Sequence, residues 1–349
     1  MIPFLRPNKP NLEVFSNFLK DSVEKNHYTN FGPNHNKLKS KFQELTGVQD
    51  VVLACNATVI LDGLHTLLAW HDLAYLPSFT FPATNQGCQT IPKYSETIIE
   101  GEHIGKPVWD TIHDSNTGTE AYAVTVNPFG SLSKPCDRPA DVGYWIVDNA
   151  AGLLTQTESW LDAGADAVVY SLHATKILSA CEGGVVFFSS SVAGQKLYAE
   201  YSKYINFGIK VNAGGYRSIG IEGSNHKMSE LSAAWCLMNL ETYLEDVAGR
   251  LVTLSTYCNF CKASNVTYIP SVQAFWILGK VSNLEIQDKA KEYEVEVRPY
   301  YEKLSMYEPQ SKSNTNLFNS NGFCIPSYSI DYMYPVVDML KKLKELDFI

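Results

Sequence analysis

The chain has 349 residues, 45% of them hydrophobic and 19% charged, with a formal net charge of −9. That length is too great for one small core and suits one large domain with a smaller one, while the acidic balance argues against a nucleic-acid partner, because phosphate binding needs clustered Lys and Arg. No apolar run approaches the ~18 residues needed to span a bilayer, and the opening segment Met1 to Pro7 lacks the apolar core of a signal peptide, so no membrane association and a cytoplasmic location are expected.

Apolar periodicity predicts helices over 11–25 and 35–46, the second ended by Gly47. A short buried strand at 51–54 leads into an apolar helix at 58–70 and a strand at 73–76, and the loop at 77–82 carries two aromatics. Further strands are expected at 121–126, 144–147, 167–170 and 185–189. Their uniform apolarity between helices indicates an α/β domain with a mostly parallel central sheet flanked by helices. Phe207-Gly208 and Gly214-Gly215 read as loop, and 228–244 as one long helix. From about residue 246 the pattern becomes helix, strand (274–278), helix, strand (295–297), an irregular segment and a last helix at 335–346. That is a smaller α+β domain over 246–349, behind a large domain over 1–245. The polar stretch 311–321 reads as a surface loop.

Eight cysteines are scattered along the chain. Only Cys258 and Cys261 have metal-like spacing, and no second Cys or His pair completes a zinc set. Reduced thiols and no metal are expected.

Chemistry gathers at the ends of the predicted strands. Lys176 lies between two strand-like runs in a region poor in charge, followed by Gly183-Gly184. In water it is an ordinary loop lysine; in a closed site desolvation lowers its pKa and allows a Schiff base with a carbonyl compound. Such a lysine becomes useful with pyridoxal 5′-phosphate, which also needs a carboxylate for its pyridine nitrogen, donors for its phosphate and a surface for its ring. Asp148 closes the strand at 144–147, where α/β proteins place ligands, though taken alone it reads first as an N-cap or loop Asp. Asn56-Ala57-Thr58 opens a helix whose free N–H groups and Thr58 hydroxyl suit a phosphate, or form a plain cap. Ser171 offers a second hydroxyl, and Phe81 a ring that could stack or simply fill core.

In this order the segments Asn56-Ala57-Thr58, 77–84, Asp148-Asn149-Ala150-Ala151, Ser171 to Lys176 with Glu182-Gly183-Gly184, and 223–234 resemble the DegT/DnrJ/EryC1/StrS family of sugar aminotransferases. The resemblance covers nearly the whole chain. It implies the fold-type-I aspartate aminotransferase architecture, with Lys176 as the Schiff-base lysine and proton shuttle. Asp148 would hold the pyridine nitrogen and Phe81 the ring, with Ala57, Thr58 and Ser171 on the phosphate. Asn225 would reach the phosphate from the other subunit of a homodimer with shared sites, and Arg298 and Tyr300 would lie near a nucleotide-sugar pocket. The implied reaction moves an amino group from L-glutamate to a nucleotide-linked keto-sugar, a dTDP-4-keto-6-deoxyhexose of surface-polysaccharide biosynthesis. The chain departs from the family pattern in three places. Ala57 stands for the usual Gly, Ala151 for a Gln or His near the cofactor's 3-hydroxyl, and Lys227 for an Arg. Amination at C3, and a non-catalytic cofactor-binding regulator, are the rival expectations. A dinucleotide dehydrogenase would need a Gly-x-Gly-x-x-Gly turn that the chain lacks.

Overall fold

The computed structural model describes residues 1–95, 97–98, 104–106, 121–211, 217–304 and 313–349. Helices α1 (Leu12–Glu24) and α2 (Pro33–Thr46) come first. Asn11 starts α1 by accepting the Val14 N–H at 3.2 Å, and Gly47 ends α2 in the left-handed conformation, φ 71°. There follow β1 (Val51–Ala54), α3 (Ala57–Leu67), β2 (Leu73–Pro77), the single-turn α4 (Ala83–Gln86), β3 (Ile91–Ser95), β4 (Ala121–Val126) and β5 (Tyr144–Asp148). Next are α5 (Thr157–Asp162), β6 (Ala167–Ser171), β7 (Gly184–Phe188) and α6 (Val192–Tyr204).

These seven strands form one sheet in the order β1-β7-β6-β5-β4-β2-β3. Strands β6, β5, β4, β2 and β3 run parallel, and β7 is antiparallel to both β6 and β1. Side chains alternate between two cores: Val51, Leu53, Trp145 and Val147 pack on one face, Val52, Ala54, Tyr144 and Ile146 on the other. Helices cover both faces, which is why the strands read as continuous apolar runs rather than alternating ones. The C-terminal ends of β1, β4, β5 and β6 and the start of β7 all open on one edge. At that edge Gly184 has no alternative residue: a Cβ there would stand 2.7 Å from the Ala57 nitrogen. The start of α3 therefore rests directly on β7.

The remainder comprises the hairpin β8 (Ile209–Val211) and β9 (Arg217–Ile219), α7 (Glu230–Leu240), α8 (Tyr243–Ser264), β10 (Tyr268–Ile269), β11 (Phe275–Leu278), α9 (Asn283–Lys291), α10 (Asn314–Asn321), β12 (Gly322–Ile325) and α11 (Met333–Glu345). Strands β10, β11 and β12 make an antiparallel sheet of three. α7 is tied to α2 by buried Glu230, which accepts from Ser22 Oγ at 2.7 Å, the Asn34 N–H at 2.7 Å and the His35 N–H at 2.9 Å. A carboxylate thus satisfies the first free amides of α2. The chain's first residues lie along the C-terminal part: the Glu296 N–H donates to the Ile2 carbonyl at 2.9 Å.

Several expectations differ from what is seen. The helix expected over 228–244 breaks at Glu241-Thr242, where no Gly or Pro signals it; Tyr243, just beyond, is buried and accepts the Leu154 N–H at 3.0 Å. No strand forms at 295–297. Val295 meets only Ile2, and Arg298 meets β12 only at Cys324, so each makes a single bridge and no ladder forms. The loop expected at 311–321 is helical from Asn314, since Ser313 caps it by accepting the Asn316 N–H at 3.1 Å and Thr315 and Phe318 are buried; 311–312 lie outside the described residues, as do Gly214-Gly215. Strands β3, β10 and β12 and helices α5 and α6 carried too little periodicity to be anticipated. Cys258 and Cys261 sit in α8 as free thiols. Among the described residues no group of three His, Cys, Asp or Glu could hold a metal, and no helix is long and apolar enough to cross a membrane.

Candidate active site

A cavity of about 560 Å³ opens at the strand-end edge of the main sheet. It brings together Ala57, Thr58, Phe81, Asp148, Ser171 and Lys176, together with Arg298 and Tyr300 from the C-terminal part. Asn225 is outside it, exposed on the segment before α7, where its Oδ1 accepts from Lys227 Nζ at 2.6 Å.

Asp148 is the last residue of β5 and is only 5% exposed. Its Oδ2 accepts from Thr84 Oγ1 at 2.7 Å, and its Oδ1 from the Ala150 N–H at 3.0 Å. Burial pushes its carboxyl pKa up, while Thr84, Ala150 and the charge of Lys176 pull it down. Lys176 follows β6 in the loop leading to β7. Burial lowers its amine, and Asp148 opposes that shift. No hydrogen bond or ion pair within the described residues holds its Nζ, so the amine is available to a ligand carbonyl.

Ala57 and Thr58 open α3, and Asn56 has already taken the Val59 N–H at 2.9 Å. No partner within the described residues takes the N–H groups of Ala57 and Thr58, so they remain as an anion site at a positive helix end. Ser171 ends β6 beside them, with its Oγ accepting the His173 N–H at 3.3 Å. Phe81 is 57% exposed, a large apolar ring facing open space at the cavity rim. Together these observations fit pyridoxal phosphate: a free lysine amine, a buried carboxylate held by two donors, an open helix N-terminus with two hydroxyls, and an unburied ring. Ala151 lines the cavity with a side chain that can donate nothing.

Beside Arg298 and Tyr300, the cavity's outer wall comes from residues that the sequence did not single out. Phe4 and Leu5 of the opening segment line it, and Tyr301 stacks on Phe129 with centroids 4.5 Å apart. Arg298 donates through Nε and Nη2 to Glu296 Oε1 at 2.9 and 2.7 Å, and Glu296 Oε2 accepts the Phe4 N–H at 2.9 Å. Hydrogen bonds to Tyr300 and Glu296 raise the Arg298 pKa. Gln273, also lining the cavity, donates to the Thr175 carbonyl at 2.6 Å and so fixes the residue before Lys176. These contacts cross between distant segments, and no local pattern announces them.

The profile of the DegT/DnrJ/EryC1/StrS aminotransferase family matches residues 144–331. The chain belongs to this family of transaminases. It is 28% identical over 255 residues to the dTDP-4-amino-4,6-dideoxy-D-glucose transaminase of Shigella dysenteriae, covering 70% of this chain and 66% of that protein, just under two thirds. The Escherichia coli protein of the same name is 26% identical, over 77% of this chain and 72% of its own. Among solved structures, a Streptococcus pneumoniae protein in its PMP form superposes with a TM-score of 0.83 at 16% identity, over 100% of both chains. A sugar aminotransferase from Micromonospora echinospora gives 0.80 at 16% identity, over 98% and 100%. At such identities the superpositions speak for the fold, which is the fold-type-I α/β architecture expected.

Proposed function

We propose that this protein is a pyridoxal-phosphate-dependent nucleotide-sugar aminotransferase, taking nitrogen from L-glutamate and delivering it to a dTDP-4-keto-6-deoxyhexose. The observation that carries this reading is the meeting of a free, desolvated lysine amine and a doubly hydrogen-bonded buried carboxylate in one cavity. The transaminases of the same family that act on a dTDP-linked 4-amino-4,6-dideoxyglucose support the choice of acceptor.

When bound, pyridoxal phosphate supplies an electron sink conjugated to the nitrogen being transferred. The rest falls to the chain. Lys176 would anchor the cofactor, then, displaced by the donor amine, serve as the base that carries a proton between donor carbon and cofactor. The direction of its shift suits that work, since burial favours the unprotonated amine. Asp148 would keep the pyridine nitrogen protonated. The amides of Ala57 and Thr58 with the hydroxyls of Thr58 and Ser171 would hold the phosphate, and Phe81 would cover the ring. Arg298 and Tyr300 would meet the acceptor at the outer wall. Asn225, exposed and outside its own chain's cavity, would complete the phosphate site of the partner subunit in a homodimer.

The test is product analysis. Cofactor-loaded protein, L-glutamate and dTDP-4-keto-6-deoxyglucose should yield 2-oxoglutarate and a sugar with its amine on C4, located by NMR. Amine on C3 of a 3-keto-sugar instead would move the reading to the C3 alternative. Absence of any aminated sugar would overturn it.

A further inference from the structure

Behind Asp148 lies a chain of hydrogen bonds that starts from Thr80 at the cavity wall and runs through Thr84, which holds neither the cofactor nor the substrates. Thr84 is fully buried in α4 and does not line the cavity. Its hydroxyl has one proton and two neighbours, Asp148 Oδ2 at 2.7 Å and Thr80 Oγ1 at 2.6 Å. A carboxylate can only accept, so Thr84 donates to Asp148 and Thr80 donates to Thr84. The Thr84 main chain is fixed from the other side: His65 Nε2 lies 2.8 Å from its carbonyl, and His65 Nδ1 lies 2.8 Å from the Tyr122 hydroxyl. A carbonyl also only accepts, so Nε2 carries the proton, and Nδ1 accepts from Tyr122. Burial lowers the His65 pKa, which favours this neutral tautomer.

Resting on the cofactor reading above, we propose that Thr84 is the positioning residue that holds Asp148 ionised and aimed at the cofactor's pyridine nitrogen, with Thr80 and His65 fixing Thr84. The need for such a residue is physical. A carboxyl buried at the end of an inner strand tends to take up a proton, and a neutral acid cannot hold a pyridinium. The groups facing Asp148 are few. Lys176 approaches from the loop after β6, Ala150 donates from the residues after β5, and the Tyr301 phenol of the C-terminal part lies within electrostatic reach. The Lys176 charge is spent when that amine reacts, and the Tyr301 phenol is held neutral, its pKa pushed well up by burial. Of the protein's own groups only the Thr84 hydroxyl and the Ala150 amide donate directly to the carboxylate, and Thr84 alone can be changed by substitution without altering the backbone.

The experiment loads the protein with pyridoxal phosphate labelled with ¹⁵N at the ring nitrogen and compares Thr84→Val, Thr84→Ala and Thr84→Ser with the parent. The parent and Thr84→Ser should show the protonated-nitrogen resonance. The two variants without a hydroxyl should shift toward the unprotonated position and bind cofactor about tenfold more weakly, as expected for a lost hydrogen bond to a charged group. A resonance in folded Thr84→Val or Thr84→Ala identical to the parent's would overturn the proposal, as would an equal shift in Thr84→Ser. Failure of the parent itself to bind the cofactor would overturn the site reading, a different result from a parent that binds and variants that do not differ.

Discussion

At the scale of single residues, the site is built from groups whose charged forms burial disfavours. Asp148 is drawn upward and Lys176 downward by the same loss of water, and each partly restores the other. Histidines show the same pressure outside the cavity. Burial lowers His35, His65 and His226 below the ordinary value of 6.5. For a base with a depressed folded pKa, the unfolded chain binds more protons below 6.5, so stability falls as the solution is acidified through that value toward the folded pKa. The melting temperature is therefore expected to drop as pH goes from 7 to 5. The His65→Gln variant, with one such group removed, should show a shallower drop. Parallel pH profiles for parent and variant would mean that His65 is not held neutral in the folded protein.

At the scale of elements, the strand-end edge is useful because helices are pinned to it. Gly184 lets the start of α3 sit on β7, and Glu230 pins α7 to α2 through two hydrogen bonds and to α1 through one, all to one buried carboxylate. Removing that carboxylate in Glu230→Ala leaves two buried backbone amides of α2 and the buried Ser22 O–H without an acceptor, although Ser22 Oγ still accepts from Asn34 Nδ2. The loss should be about 3 kcal/mol in urea unfolding, with Glu230→Gln losing less. An effect below the ~0.5 kcal/mol typical of surface substitutions would show that the α2 amides find water instead. The elements around the site were also the legible ones. β5 and β6 are short apolar runs that end in Asp148 and Ser171, and β1 is followed two residues on by Asn56, so strand ends and candidate groups were visible together. α10 was not, because an Asn- and Ser-rich segment has weak helix propensity and is ordered by its Ser313 cap and the burial of Phe318. The break between α7 and α8 was hidden because no Gly or Pro marks it and the helical pattern runs on into α8.

At the scale of the whole molecule, the cavity draws on the first residues, the main sheet and the C-terminal segments together. Phe4, Asp148 and Arg298 share it although nearly the full chain separates them. That is why the wall formed by Phe4, Tyr301 and Gln273, and the support from Thr84, could not be read from local pattern, whereas Lys176 and Asp148 could. Asn225 does not face its own cavity, and in the homodimer we propose it serves the partner's. Mixing Lys176→Ala and Asn225→Ala subunits tests this. If Asn225 acts across the interface, each mixed dimer contains one site with both residues intact, and activity should rise above that of either variant alone. If it acts within its own chain, no mixed dimer has an intact site and nothing is gained.

The central claim is that Lys176 holds a cofactor that accepts nitrogen from glutamate. The most direct test is the absorption spectrum of the cofactor-loaded protein before and after L-glutamate, with no sugar present and with Lys176→Ala alongside. The expected result is a visible band in the parent that gives way to the amine-form band on adding glutamate, with no such band covalently attached to Lys176→Ala. A parent band that does not respond to glutamate, or a variant that still converts it at the parent's rate, would contradict the claim.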